Sequence, residues 1–129
     1  MTGHKNKTVL MIAKARDKVT VAKINFENGK YDDTVSRAYY AVFHAISAAL
    51  FSKGLTYSTH AQTLGGFNRE FVKAGIFPHV FSKMIKRMFN ERQIGDYDFE
   101  SWIDEQTARE SIENAELIIT EIERYLDVL

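Results

Sequence analysis

The sequence predicts an all-α fold, an up-and-down antiparallel bundle of four to five helices, and three observations support this prediction. Apolar residues recur every three or four positions in successive segments of the 129-residue chain. The only proline is Pro78, and most of the seven glycines fall between those segments. No segment has the alternating pattern of a strand. We therefore expect one domain over residues 1–129, with residues 1–8 as a flexible N-terminal tail.

The first two predicted helices form the start of the bundle. The first covers residues 9–28 and ends at Gly29, which supplies a left-handed stop. The second ends at about residue 51, and either Asp32 or Asp33 could cap its start. Because it carries two apolar rows, we expect it to contact neighbours on two sides as the central helix.

Three further helices are predicted after residue 55. Ser58-Thr59 can cap the third, which ends near residue 75, and the pair Gly65-Gly66 favours a kink or a tight helix crossing within it. Pro78 suits the first turn of the fourth helix, which is expected to fray near residue 95.

The last helix follows a loop at residues 95–100 and runs to the C-terminus. Ser101, with Asp104 three residues on, resembles a capping box at its start.

Composition limits the classes of function. Lys plus Arg and Asp plus Glu both total 17, which argues against a protein that coats nucleic acid or membrane through bulk charge. The absence of cysteine excludes a disulfide framework and a thiolate nucleophile. The four scattered histidines do not have the spacing of metal ligands. We expect a cytoplasmic protein with no cofactor, no metal and no membrane association.

A polar stripe on the second helix is the first candidate for a binding site. Arg37, Tyr40, His44 and Ser47 are spaced by three, four and three residues and so share one helix edge. Guanidinium, phenol and imidazole groups together could hold a phosphate. The alternative is that these residues pack between helices, with Arg37 paired to a carboxylate.

A second candidate lies at the end of the fourth helix, in the segment from Arg92 to Asp98. The negative end of the helix would favour the cation of Arg92, and Asp96 lies four residues on, within pairing distance. Tyr97 follows directly. The segment is either a phosphate-binding group or a helix terminus followed by a solvated acidic loop.

Aromatic and histidine residues at the helix joins form a third feature. Phe77-Pro78-His79 lies beside the loop-like segment 56–60, and such residues can contact bases. More often they close one end of a bundle, and that alternative is retained.

Several of these segments in combination resemble the HEPN family (higher eukaryotes and prokaryotes nucleotide-binding), and the resemblance spans about residues 9–126. The segments that carry it are Ser36-Arg37-Ala38-Tyr39-Tyr40-Ala41-Val42-Phe43-His44-Ala45, Lys53-Gly54-Leu55, Thr59-His60, Gly75-Ile76-Phe77-Pro78 and Arg92-Gln93-Ile94-Gly95-Asp96-Tyr97. The resemblance implies a helical bundle that is commonly a homodimer, often beside a minimal nucleotidyltransferase in a toxin–antitoxin pair.

Many HEPN proteins are also metal-independent ribonucleases, and the resemblance implies a motif in which an arginine precedes a histidine by five to seven positions. Here Arg92 matches the arginine, but no histidine follows through Asp98, and Tyr97 takes the fifth place. A tyrosine is a poor general base at neutral pH because its ordinary pKa is near 10.

We therefore expect a non-catalytic module that binds nucleotide or RNA phosphate through Arg92, Asp96, Tyr97, Arg37, Tyr40 and His44, with a nucleotidyltransferase as partner. One alternative is a ribonuclease toxin in which His44 or His60 replaces the missing histidine across a dimer. The other is a structural dimer module without a ligand.

Overall fold

The computed structural model describes residues 2–128, with side chains from residue 6 onward, and it is a bundle of five α-helices. The helices are α1 Thr2–Glu27, α2 Tyr31–Ser52, α3 His60–Phe67, α4 Val80–Tyr97 and α5 Glu105–Leu126, and a π-helical turn, Asn68–Val72, directly follows α3. Among these residues there is no strand. The predicted all-α, up-and-down bundle is confirmed.

Helix α2 is the centre of the bundle, as the two apolar rows predicted. It packs against α1 on one side and against α4 and α5 on the others. Its small residues are fully buried and let neighbouring helices approach closely; they are Ala38, Ala41, Ala45, Ala48 and Ala49. Because α2 contacts every other long helix, its side chains hold the remaining elements in register.

The start of α1 and the cap of α2 differ from the predictions. Helix α1 begins at Thr2, ahead of the predicted start, and ends before Gly29, whose φ of 71° is the expected left-handed stop. The flexibility of residues 1–8 stays a prediction, and Met1 lies outside the described residues. Neither aspartate caps α2, because its N-cap residue is Lys30. Asp32 instead accepts a hydrogen bond from the backbone N–H of Ile103, at 3.1 Å, and so fastens the α4–α5 loop to α2.

The predicted cap of α3 is confirmed, since the Thr59 hydroxyl accepts a hydrogen bond from the Gln62 backbone N–H at 3.1 Å. Of the pair Gly65-Gly66, for which a kink or a tight helix crossing is predicted, Gly66 makes a close contact with Tyr57, which lies in the loop before α3. A Cβ on Gly66 would lie 2.5 Å from the Tyr57 ring, so a larger residue there would require that ring to move. The α-helical pattern changes two residues later, at the π-helical turn.

Stacked phenylalanines close one end of the bundle, which confirms the structural alternative for the Phe77 segment. Phe77 is buried and its ring stacks on the rings of Phe67, Phe71 and Phe81 at 5.6 to 5.8 Å. His79 is exposed beside this cluster. The segment therefore serves packing.

Helix α4 continues past Gly95 to Tyr97, so the predicted fraying there is wrong. The reason is a close crossing with α2, where a Cβ on Gly95 would lie 2.8 Å from the Asp32 carbonyl oxygen. The N-cap of α5 is Asp104, which accepts from the Thr107 N–H at 2.8 Å, and Ser101 is not the cap. No helix within residues 2–128 has the length and hydropathy needed to cross a bilayer.

Candidate functional site

Arg92 lies inside the bundle, where aromatic rings surround its guanidinium group. Only 7% of the residue is exposed. The guanidinium carbon is 5.1 Å from the ring centres of Tyr39 and Phe89, 5.6 Å from Tyr40 and 6.0 Å from Tyr97. These distances are those of cation–π contacts, in which the cation lies over the faces of the aromatic rings. We define the Arg92 cluster as Tyr39, Tyr40, His60, Phe89, Arg92 and Tyr97.

The Arg92 guanidinium has unused hydrogen-bonding capacity. Its Nε is buried and has no hydrogen-bond partner among the described residues. No carboxylate in residues 6–128 forms an ion pair with it. A buried donor without a partner costs about 1–3 kcal/mol, and more when the group is charged. Within the described residues, the guanidinium therefore keeps at least one donor without an acceptor.

His60, the first residue of α3, completes the Arg92 cluster. Its Nδ1 lies 2.9 Å from the Tyr39 hydroxyl oxygen, and its ring stacks on Phe43 with ring centres 4.1 Å apart. Burial, and then the positive charge of Arg92, lower the pKa of His60, so the imidazole is neutral at neutral pH. Because Nδ1 is occupied by the tyrosine, Nε2 is the nitrogen that can face a ligand.

Tyr39 is a protonated phenol at neutral pH. Burial raises the pKa of Tyr39 to about 12, although the nearby charge of Arg92 opposes this rise. The hydroxyl group therefore keeps its proton while it hydrogen-bonds to His60. Tyr39 thus links the cation on α4 to the imidazole on α3 through one buried side chain of α2.

The structure brings three of the predicted site residues together. Tyr40 and Tyr97 both contact the guanidinium of Arg92. Asp96 lies nearby but does not pair with Arg92, contrary to the expectation from the four-residue spacing. Its carboxylate accepts a hydrogen bond from the Ser36 hydroxyl at 3.3 Å, while the guanidinium is turned into the aromatic rings.

Arg37 and His44 are separated from the Arg92 cluster. Arg37 is exposed, and His44 faces α1, where burial and then the charges of Lys14 and Lys18 lower its pKa. In an α-helix, residues seven apart lie on nearly one line, whereas Tyr40 lies roughly 40–60° around the axis from both. That offset turns Tyr40 towards α4, so the predicted polar stripe is divided between two surfaces.

Tyr39 and Phe89 are not among the candidate site residues predicted from the sequence, and His60 is among them only in the ribonuclease alternative. The available signal was chemical, because a buried tyrosine hydroxyl or histidine nitrogen needs a hydrogen-bond partner. Two such groups in apolar rows of neighbouring helices can satisfy each other. As for metals, no three His, Asp or Glu side chains converge in the described part of the chain.

Comparison with known proteins identifies the family. The family model described as the HEPN domain matches residues 8–125 of this chain. A relative named "UPF0332 protein" from Thermotoga maritima is 37% identical over 116 residues, which cover 90% of this chain and 88% of the relative. A relative named "Putative toxin MJ0605" from Methanocaldococcus jannaschii is 36% identical over 117 residues, covering 91% of this chain and 81% of the relative.

The fold also matches a solved structure, the crystal structure of TT1696 from Thermus thermophilus. The TM-score is 0.78 over 92% of this chain and 98% of that one, at 16% identity, and this likeness concerns the fold alone. The family model covers nearly the whole bundle and includes every member of the Arg92 cluster. The chain belongs to the HEPN family.

Proposed function

We propose that this protein is a HEPN module that binds the phosphate of a nucleotide or RNA at the Arg92 cluster and does not cleave it. The observation that carries the proposal is the guanidinium of Arg92, which is held by aromatic faces and has no carboxylate partner among the described residues. A phosphate would supply the missing acceptors, and arginine forms paired hydrogen bonds with phosphate oxygens. Tyr97 contacts the guanidinium and is 65% exposed, so the cluster extends to the protein surface at this residue.

The proposed role is that of a partner to a nucleotidyltransferase in a toxin–antitoxin-like system. Support comes from the relative named as a toxin and from exposed aromatic residues in the loop that follows α4. Phe99 and Trp102, in the loop between α4 and α5, are 95% and 82% exposed. Large exposed aromatic side chains are enriched at protein interfaces, which supports association with a second copy or with the partner.

Calorimetric titration with AMP, ATP and a short single-stranded RNA tests the proposed site. The change is Arg92→Gln, and the matched control is Arg37→Gln, which removes an exposed arginine outside the cluster. Loss of a charge-assisted hydrogen bond to phosphate should weaken binding roughly 10- to 100-fold in Arg92→Gln. Arg37→Gln should bind as the wild type does.

Thermal unfolding of both variants shows whether they remain folded. Arg92→Lys adds a second test, because it keeps the charge but loses the planar fork of the guanidinium. Its affinity for the ligands should lie between those of the wild type and Arg92→Gln. Equal affinity of Arg92→Gln and wild type for every ligand would reject the site.

One observation favours a second function, a metal-independent ribonuclease. His60 lies beside Arg92, is neutral at neutral pH and keeps Nε2 for a substrate, which are the requirements for proton transfer next to a bound phosphate. This function predicts growth arrest on expression and RNA cleavage in EDTA, both lost in His60→Gln. The control is His44→Gln, because His44 faces α1. Intact RNA and normal growth with the wild-type protein would contradict it.

A further inference from the structure

An apolar pocket of about 270 Å³ lies between α3 and α4. Its residues are Leu64, Gly65, Phe67, Asn68, Ser82, Ile85, Lys86 and Phe89. Ligand pockets are usually mostly apolar with a few polar groups, and typical volumes begin at about 300 Å³. The pocket therefore has room for one small ring system rather than for a large cofactor.

The pocket and the Arg92 cluster are neighbours along α4 and share Phe89. On α4, Ser82, Ile85 and Phe89 follow one another at helical spacing, and Arg92 lies three residues beyond Phe89. Phe89 belongs to both, because it lines the pocket and also contacts the Arg92 guanidinium. With a rise of about 1.5 Å per residue, the pocket centre lies roughly 5–10 Å along α4 from Arg92.

Helix α3 also contributes to both the Arg92 cluster and the pocket, and it does so in the chain direction opposite to that of α4. Leu64 lies four residues after His60 and Asn68 four residues after Leu64, so the three share one face. His60 belongs to the Arg92 cluster, and the other two line the pocket. A ligand long enough to reach both would meet the apolar pocket at one end and the cation with the imidazole at the other.

The few polar groups of the pocket suit a heteroaromatic ring. The Ser82 hydroxyl donates a hydrogen bond to the Asn68 side-chain oxygen at 2.6 Å. That bond orients the Asn68 amide and leaves its NH₂ group as a donor for a ring nitrogen or carbonyl. Lys86 is exposed and adds positive charge at the rim of the pocket. An aliphatic ligand would use neither the amide nor the cations.

The local backbone is built around this opening. Asn68 begins the π-helical turn that follows α3, and π-helical turns occur frequently at functional sites. Gly65 lines the pocket, and a Cβ placed on it would meet no atom within 4 Å. The missing side chain of Gly65 therefore leaves open volume rather than permitting a close helix contact.

We propose that the α3–α4 pocket binds the base of a nucleoside monophosphate, free or within RNA, whose phosphate is bound by Arg92. This inference rests on the proposed function, because it assigns the second half of the same ligand. Phe89 separates the two halves, with one side towards the base and the other towards the guanidinium.

Gly65→Leu tests the base subsite. The leucine fills the pocket without a steric clash at Cβ, and it improves helix propensity, so the variant should fold. The matched control is Ala61→Leu, which adds the same side chain one turn earlier at an exposed position outside the pocket. Calorimetry compares AMP with ribose 5-phosphate, which has the phosphate but no base.

The wild type and Ala61→Leu should bind AMP roughly tenfold or more tightly than ribose 5-phosphate, as expected for a stacked base. Gly65→Leu should lose that preference and keep its affinity for ribose 5-phosphate. A Gly65→Leu protein that retains the preference, or a wild type that has none, would overturn the inference.

Two further measurements distinguish a failure of the phosphate site from a failure of the base subsite. If Arg92→Gln leaves ribose 5-phosphate binding unchanged, the proposed phosphate site itself is wrong. If Arg92→Gln weakens it while Gly65→Leu keeps the preference for AMP, only the base subsite is wrong.

A 5′-phosphorylated RNA pentamer identifies the source of the ligand. An effect of Gly65→Leu on AMP alone assigns free nucleotides, an effect on the pentamer assigns RNA ends, and no effect on either refutes the subsite.

Discussion

The crossing of α4 over α2 at Gly95 gives a stability prediction with a defined magnitude. In Gly95→Ala the new Cβ would lie 2.8 Å from the Asp32 carbonyl oxygen and 3.1 Å from a Val35 methyl group. The nearest atom is backbone, so relief requires the two helices to separate. Overpacking of this kind costs about 1–3 kcal/mol, and the better helix propensity of alanine returns about 1 kcal/mol. We expect a net loss of about 1 kcal/mol.

Gly65→Ala is the matched control, because Gly65 is also helical and its Cβ would meet no atom within 4 Å. It should gain about 1 kcal/mol from propensity alone. Urea unfolding of both variants gives the difference between them, which measures the clash at about 1–3 kcal/mol. If Gly95→Ala proves as stable as Gly65→Ala, the backbone approach of α4 to α2 is not as close as the structure has it, and the positioning of Arg92 against Tyr39 loses its basis.

Three further predictions concern charged groups. The pKa of His60 is lowered in the folded state, so the unfolded chain binds the proton first and the free energy of unfolding falls as the pH falls below about 6.5. Urea titrations at about pH 7.5 and about pH 5.5 measure this loss of stability. The loss should be smaller in His60→Gln than in the wild type. Arg16→Met should cost about 1–3 kcal/mol, because it leaves the buried carboxylate of Glu123 without its cation, and Glu123→Gln in the same chain should restore part of that loss. Arg92→Met should change the unfolding free energy by less than about 1 kcal/mol, because lost cation–π contacts are offset by removal of a buried, unpaired donor.

The fold follows largely from local rules that the sequence displays. Periodic apolar residues identify all five helices, and the two rows of α2 identify it as central. The cap at Thr59 follows from side-chain chemistry within four residues. The errors occur where a residue serves a distant partner. Asp32 binds the Ile103 N–H instead of capping α2, and Gly95 permits α4 to cross α2 closely instead of ending α4.

The candidate site could be predicted only in part, for the same reason. The sequence identifies Arg92 by its likeness to a family motif, and it identifies Tyr40 and Tyr97 by their positions. The partners of the guanidinium depend on which rings three separate helices bring together, and spacing along one helix does not contain that information. The spacing of four residues therefore favoured Asp96 as the partner of Arg92. In the fold, the neighbours of Arg92 are instead aromatic faces and His60.

A comparison of Arg16 with Arg92 supports the proposal that Arg92 binds a ligand. Arg16 lies between α1 and α5, donates to the carboxylate of Glu123 and the hydroxyl of Thr120, and is satisfied within the chain. Arg92 is more deeply buried, yet it has aromatic faces in place of a carboxylate and an unpaired Nε. Burying a cation without an anion carries a desolvation cost that methionine or leucine would not have, so packing alone does not require an arginine at this position. Within the described residues, Arg16 is paired with a carboxylate and Arg92 is not, and this contrast supports the proposed binding of an external phosphate by Arg92.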